Sequence, residues 1–539
     1  MAPTQGDVRM SLQTPVEEIV SGLHPTLAKF TAAVVRDLEF QAFVVDHGVR
    51  EGSDVEAKAV SNVLEQRGIQ TRVLKIDWGT HERLAELPNF ESLARRYRFR
   101  ALGKACRDAG INSLFLAHHQ DDQVETVMMR MINGHRIFGL RGMKRDCEIP
   151  ECHGIHGVHE SGALDTTKDH AVSAPPQVLQ RKQDTRRKRF QPKINLATEM
   201  GGVRVYRPLL GFTKSRLIDT CTAAKMEWFE DHTNKDPTIT TRNAIRHMYS
   251  TYAMPTALAP LSILSLSEKF EKKHDHLQKV ADSLFEAANK LFMTRSGTMI
   301  IKFPDLRFLE SSLSPDDLKL VASLLLRQAI SFVTPQEHAR LHSLHGSVCR
   351  VFPEILKDVE PSEPVIFTVS GVQFKPMPPS ISHQESEARP EWYLSRQLYS
   401  SAGSDRPDID LSTCDLSHRD GSWTPWMLYD GRFWFRIQKK PRTPLTLRPL
   451  QKGDMVDFKK GLGRFDQLRF KDILRQVAPA DVRWTLPAIA HKEWNGKEIV
   501  VALPTVDLAI VDSQRLVEWE VRYKKVDVEI LKGGGTEII

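Results

Sequence analysis

Leu114 to Thr126 reads LFLAHHQDDQVET, an apolar run that breaks into a polar cluster and continues in a helix-compatible pattern. Ser113 to Ala117 has the short apolar composition of a strand buried inside a parallel sheet. Ligands of open α/β sheets bind beyond the carboxyl ends of the strands, so His118, His119, Asp121 and Asp122 fall where a substrate crevice forms. A helix starting near Gln120 sets Asp121 and Glu125 four apart and Asp122 and Glu125 three apart, which puts carboxylates on one face. Close carboxylates repel unless a cation or a donor neutralises them, so this face suggests a magnesium or polyphosphate site, with Asp121 and Asp122 as the candidate magnesium ligands. The competing reading is a helix N-terminus that simply carries exposed acids, as its dipole favours.

Towards the N-terminus, Gln41 to Val45 reads as a strand that delivers Asp46 and His47 to its C-terminal edge, with Gly48 supplying backbone freedom just past it. Val55 to Arg67 is an amphipathic helix ended by Gly68, Thr71 to Ile76 a strand, Phe90 to Ala109 a helix ended by Gly110, and Asn112 to Ala117 the next strand. That alternation at short spacing predicts an α/β domain with a parallel sheet wrapped by helices. Further on, Asp236 followed by Pro237 reads as an N-cap and first helical residue, which predicts a helix over Thr238 to His247 with Arg242 and Arg246 stacked four apart. Two guanidiniums on one face beside Asn243 suit phosphate or nucleotide recognition, whereas ion pairs with Glu230 and Asp231 would make the same face structural.

The chain has 539 residues, 41% hydrophobic and 27% charged, enough for two to four domains with a substantial core. No apolar run is long enough to span a bilayer, so no membrane association is expected. A formal charge of +7 permits RNA binding by one face without demanding it. The six cysteines are sparse and irregular, which argues against a disulfide framework and for a soluble intracellular setting, cytoplasmic or mitochondrial. Cys147 and Cys152 with His153 and His156 could be weighed as a zinc site, but no second cysteine pair completes a tetrahedral set.

Five strings carry a specific resemblance: VDHGVREGS (Val45 to Ser53), the helix run with Ala94, Arg95, Arg98, Phe99 and Leu102, AHHQDDQVET (Ala117 to Thr126), RPLL (Arg207 to Leu210) and EDHTNKDPTITTRNAIR (Glu230 to Arg246). In order and spacing they are similar to the motifs of the tRNA(Ile)-lysidine synthases. The resemblance is strong over residues 41 to 250 and weaker at RPLQKGD (Arg448 to Asp454) and Leu468 to Ile489. It implies an N-type ATP pyrophosphatase fold, a Rossmann-like parallel sheet of the adenine-nucleotide alpha-hydrolase type. It also implies a carbon–nitrogen ligase that uses ATP and Mg2+, with tRNA and free L-lysine as substrates. ATP would adenylate the wobble cytidine of an isoleucine tRNA, and a lysine amine would then displace AMP. On this resemblance Asp121, Asp122, Glu125, Arg95 and Arg98 are the catalytic candidates. Asp46, His47, His118, His119, Arg207, Asn234, Asp236, Arg242, Asn243 and Arg246 are the nucleotide-site candidates.

One motif departs. Synthases of this family open with a strand running into an S-G-G-x-D-S loop whose backbone amides grip the ATP phosphates. Here only Ser21-Gly22 precedes His24 and Pro25, no apolar strand is evident before them, and neither Asp nor Ser follows at the right offset. Residues 1 to 40 are therefore expected to lack the first strand and the loop. Either the start of the chain is incomplete, which the completeness of the other motifs favours, or the protein is a tRNA-binding relative without ATP chemistry. Another tRNA-modifying ATP pyrophosphatase, such as a thiolase, is a third reading, but the cysteine pairs such enzymes use are absent next to these motifs.

The remaining chain divides as a polar insertion over about 144 to 202 within a first domain of residues 1 to 250, a helical linker over 251 to 420, and an α+β tRNA-binding-like domain over 421 to 539. The insertion is read as exposed and largely disordered, with a basic run from Arg181 to Lys193. Lys269 to Leu291 and Pro315 to Ile330 are amphipathic helices, Ser362 to Asp415 a Pro- and Ser-rich loop region. In the last domain Arg448, Lys452, Arg469, Lys471 and Arg475 could hold a tRNA backbone.

Overall fold

A computed structural model describes residues 20–21, 39–49, 52–79, 90–135, 137–164, 195–226, 228–229, 240–355, 363–377, 389–400, 403, 405–411, 423–439 and 444–527. The chain forms two units, Met1–Gly162 with Gly201–His276, and Ala163–Met200 with Leu277–Ile539. The first unit is built from β1 (Val20–Ser21), β2 (Gln41–Asp46), helix α1 (Ser53–Glu65), β3 (Gln70–Lys75), α2 (Phe90–Asp108), β4 (Ser113–Leu116), α3 (Gln120–Ile132) and β5 (Asp146–Glu148). Two short strands, β6 (Ala163–Leu164) and β7 (Glu199–Met200), pair with each other in the second unit before β8 (Arg204–Tyr206), α4 (Lys214–Ala223) and α5 (Thr241–Thr251) return to the first. The sheet runs β3-β2-β1-β4-β8-β5. Its first five strands are parallel, and β5 closes one edge antiparallel to β8. The α/β expectation holds, with each strand and helix from Gln41 to Ile132 within a few residues of the sequence reading.

Two expectations need correction in this unit. Residues 1 to 40 do supply a strand: Val20 and Ser21 pair in parallel with β2 on one side and β4 on the other, in the middle of the sheet. Two residues are too few to show an apolar period, which is why the sequence hid them. The start of the supposed loose insertion is also part of the fold. Ile149, Cys152 and Val158 are fully buried with Phe99, Leu102 and Cys106 of α2, and Ile155 packs beside them. These four apolar residues recur every third position among glycines and histidines, a pattern that overall polarity masked. The basic run over Arg181 to Lys193 lies outside the described residues.

The second unit takes up the end of α6 (Pro260–Ala287) and continues with β9 (Asn289–Met293), β10 (Thr298–Lys302), α7 (Pro315–Val333), α8 (Leu341–Val351), β11 (Phe367–Val369), β12 (Val372–Pro376) and β13 (Trp392–Arg396). β14 (Ile409–Asp410), β15 (Met427–Tyr429), β16 (Phe433–Lys439), β17 (Leu445–Pro449), α9 (Asp454–Gly461), α10 (Arg464–Val477), β18 (Pro487–Lys492), β19 (Glu498–Leu503), β20 (Leu508–Ala509) and β21 (Val517–Tyr523) complete it. The stretch read as a helical linker thus carries a five-stranded sheet, β11-β12-β13-β10-β9, and the Pro- and Ser-rich region supplies three of its strands. The helix read as reaching Leu291 stops at Ala287, because Lys290 turns its ammonium back onto the carbonyls of Phe285, Glu286 and Ala288 and caps the last turn. Arg448 is buried and bound by Asp454 and Glu498, so it is a structural ion pair and not a phosphate contact. β7 is tied in by its Glu199 carboxylate, which is fully buried and accepts from Arg522 of β21 at 2.9 Å.

The clamp on α2 is testable at Gly103, where an added Cβ would lie 2.4 Å from Val158 Cγ1 and 3.2 Å from both Cys152 Sγ and Ile149 Cδ1. Helix propensity favours alanine there by up to about 1 kcal/mol, while overpacking a filled core costs about 1–3 kcal/mol. Gly103→Ala should therefore destabilise the chain by roughly 1–2 kcal/mol in urea unfolding; a stabilised variant would mean that Ile149 to Val158 does not pack on this helix.

Candidate functional site

β1 and β4 lie side by side in the middle of the sheet, and α3 starts directly beyond the carboxyl end of β4. His119 is the N-cap of α3, and its backbone N–H donates to Asp122 Oδ2 at 3.0 Å. Asp122 and Glu125 then fall on the face where α3 meets α5. That meeting is set by apolar contacts, Val124, Val127 and Met128 of α3 with Ile245 of α5 and Ile263 of α6. Arg242 and Arg246 flank Ile245, so burying it carries both guanidiniums onto the acids.

Four charges meet as a result. Arg246 Nε donates to Glu125 Oε1 at 2.6 Å and its Nη2 lies 3.5 Å from Asp122 Oδ1. Arg242 is looser, with Nε 3.6 Å from Glu125 Oε2 and Nη1 3.8 Å from Asp122 Oδ1. Asp122 and Glu125 are buried, whereas the arginines are about one-third exposed. Burial raises the Glu125 carboxyl above the ordinary range even against the hydrogen bond from Arg246. Glu125 Oε2 and Arg242 Nε are both buried without a hydrogen-bond partner and face each other at 3.6 Å, an ion pair short of hydrogen-bond contact.

Beside this quartet the sequence candidates bring further positive charge. Burial lowers the basicity of Arg95, which Glu151 opposes and which Arg207 and Arg242 reinforce. Arg98 is brought down to about 10 by burial, with Arg95 and Arg242 adding to it. His118 is pushed down to about 4 by burial, against Asp122 and with Arg207, Arg98 and Arg242. Its imidazole is therefore neutral at physiological pH and adds no charge to the cluster. Cations held this close repel one another, and an anion would relieve them. Glu151, which sequence reading did not single out, meets Arg95 and Arg96 at 3.7 and 3.8 Å.

The other candidates have different surroundings. Asp121 Oδ2 accepts from the backbone N–H of Lys214 at 2.9 Å and so joins α3 to α4. With Asp122 held by His119 and facing the arginines, the Asp121 and Asp122 pair as arranged does not fit a shared magnesium ion. No group of three metal-binding side chains occurs among the described residues. Asp46 is buried and accepts from Gly48 N and Ser53 Oγ at 2.9 and 2.8 Å, closing the turn after β2; the His47 carbonyl accepts from Trp78 Nε1 at 2.6 Å. The α5 helix begins at Thr241 with Thr240 as its cap, Oγ1 accepting from Asn243 N at 3.1 Å. The helix read from Thr238 thus starts at Thr241, and Asn234 and Asp236 lie outside the described residues. Cys147 Sγ lies 3.3 Å from Arg207 Nη1, and Cys152 Sγ 3.3 Å from the Phe99 carbonyl.

The PP-loop domain family matches residues 22–156 and 185–251. The probable tRNA(Ile)-lysidine synthase of Schizosaccharomyces pombe is 25% identical over 474 residues, covering 87% of this chain and 84% of that protein. The tRNA(Ile)-lysidine synthase of Bradyrhizobium sp. strain BTAi1 is 28% identical over 241 residues, and this alignment covers 45% of this chain and 51% of that protein. Among solved structures, a U34-tRNA thiolase from Methanococcus maripaludis overlays with a TM-score of 0.32 at 13% identity, over 50% of this chain and 78% of that one, too loosely to bear on function.

Two outcomes follow from the charges. Arg246→Ala leaves two buried carboxylates with one loose cation, and should cost roughly 2–3 kcal/mol in urea unfolding, below the full value of a buried pair because Arg246 is part exposed. His118 has a lowered folded pKa, so its contribution to stability is complete above its unfolded value of 6.5 and is lost as pH falls towards about 4. The urea midpoint of His118→Gln should therefore drop less than that of the parent chain between pH 7 and pH 4.5.

Proposed function

We propose that the chain is a PP-loop protein of the tRNA(Ile)-lysidine synthase type, the proteins to which it is similar, and that it uses ATP to adenylate the wobble cytidine of an isoleucine tRNA and then joins lysine to it. In the first step the ring carbonyl oxygen attacks the α-phosphate and pyrophosphate leaves. In the second, the lysine amine, having lost a proton, attacks the ring carbon, and AMP leaves with that oxygen.

The observation that carries this reading is the juxtaposition of a buried acid pair with a larger group of arginines at the carboxyl ends of β1 and β4. Asp122 and Glu125 suit a substrate ammonium and the proton it must lose, and the raised affinity of Glu125 for a proton favours that exchange. Arg95, Arg98, Arg207 and Arg242 suit the negative charge of the phosphates and of the leaving groups. Arg246, the tight partner of Glu125, keeps the carboxylate aimed.

Labelled lysine, ATP, magnesium and an isoleucine tRNA with cytidine at the wobble position test the reading directly. The chain should incorporate lysine into that tRNA, and Glu125→Gln should lower kcat/KM by about 10²-fold or more. Binding of tRNA without lysine incorporation or ATP affinity would instead support a non-catalytic tRNA-binding role, the reading to which Ser21-Gly22-Leu23-His24-Pro25-Thr26 in place of S-G-G-x-D-S points.

A further inference from the structure

α3 does more than present Asp122 and Glu125. Gln123 and Arg130, two turns apart on the same helix, both reach the connection that follows it. The Gln123 amide grips one residue by both backbone groups: Met143 N donates to Oε1 at 2.7 Å, and Nε2 donates to the Met143 carbonyl at 3.1 Å. Only an amide side chain offers donor and acceptor in this fork. Arg130 Nη1 donates to the carbonyls of Gly139 and Gly142 at 2.7 and 2.8 Å. Gly142 has φ +71°, and a Cβ there would lie 2.5 Å from Gln123 Nε2, so the connection rests directly on the amide.

The two residues after Met143 hold Arg207. The Lys144 carbonyl accepts from Arg207 Nη1 at 2.9 Å, and the Arg145 carbonyl accepts from the Arg207 backbone N–H at 2.7 Å. Arg207 is buried, its Nε has no hydrogen-bond partner, and its charge bears on both His118 and Arg95. Any shift of the Gly139 to Arg145 connection would therefore move a buried cation of the site.

We propose that Gln123 and Arg130 are positioning residues, which set the Arg207 guanidinium through the Gly139 to Arg145 connection and so tie the placement of the anion-binding charge to the helix that carries the acid pair. What Arg207 does for the substrate rests on the function proposed above; the mechanical link does not.

A double-mutant cycle separates this role from a merely structural one. Gln123→Ala should raise the KM for ATP in lysine transfer about tenfold with kcat changed less than about threefold. Added to Arg207→Lys, it should raise KM by no more than about twofold further, because the guanidinium it would have positioned is already gone. Additive effects would overturn the proposal. Hydrogen exchange reads the same link without activity: the Met143 and Arg207 amides should exchange faster in Gln123→Ala while Val127 and Met128 keep their protection. Unchanged exchange at Arg207 would also overturn it. Arg130→Met, which keeps the side-chain volume, repeats both readouts if Gln123→Ala folds poorly. A parent chain that transfers no lysine removes the proposed function, and the exchange result then decides this inference alone.

Discussion

Two carboxylates buried in the contact between α3 and α5 are tolerable only because two part-exposed guanidiniums lie against them. Left alone, either acid would be driven to bind a proton or would draw water into the contact. The arginines are on α5 because Ile245 needs the same apolar groove that Val124, Val127 and Met128 offer. Hydrophobic packing therefore brings the charges together, and the charges in turn fix the register of the packing. The fit is unequal: Arg246 is hydrogen-bonded to Glu125, while Arg242 is held by attraction alone, between the acids and the other arginines. A residue drawn to the acids on one side and repelled by cations on the other is the one whose position a bound anion can change at least cost.

Most of the first unit was legible because its strands are short apolar runs and its helices end at glycines. The helix-plus-acid arrangement after β4 was legible for the same reason, as spacing alone put Asp122 and Glu125 on one face. What occupied that face was not. The acid face suggested a metal, and the structure answers with arginines more than a hundred residues downstream, a pairing no local pattern encodes. β1 was missed because two residues have no period, and the core role of Ile149, Cys152, Ile155 and Val158 because average polarity outweighed their spacing.

The second unit was less legible. A helical period running through Leu277, Ala281, Phe285 and Phe292 conceals the change from α6 to β9, since Ala288 and Phe292 also bury their side chains. The Pro- and Ser-rich region yielded three strands: Val372 and Phe374 are buried on either side of Gln373, while Trp392 to Arg396 is buried along its whole length, polar Ser395 and Arg396 included. Composition averaged over that stretch reports its turns, whereas the core is built from its exceptions.

The fully buried Glu199 bound to Arg522 places a constraint on how the molecule is made. During synthesis the β7 segment emerges long before Arg522, so through that interval a carboxylate destined for the interior lacks this cation. The second unit therefore cannot finish folding while its own last strand is still in the ribosome. A fragment beginning after α6 would lack β6 and β7, and one ending there would carry them without their partner. The chain's two units are separable by contacts but not by a single cut.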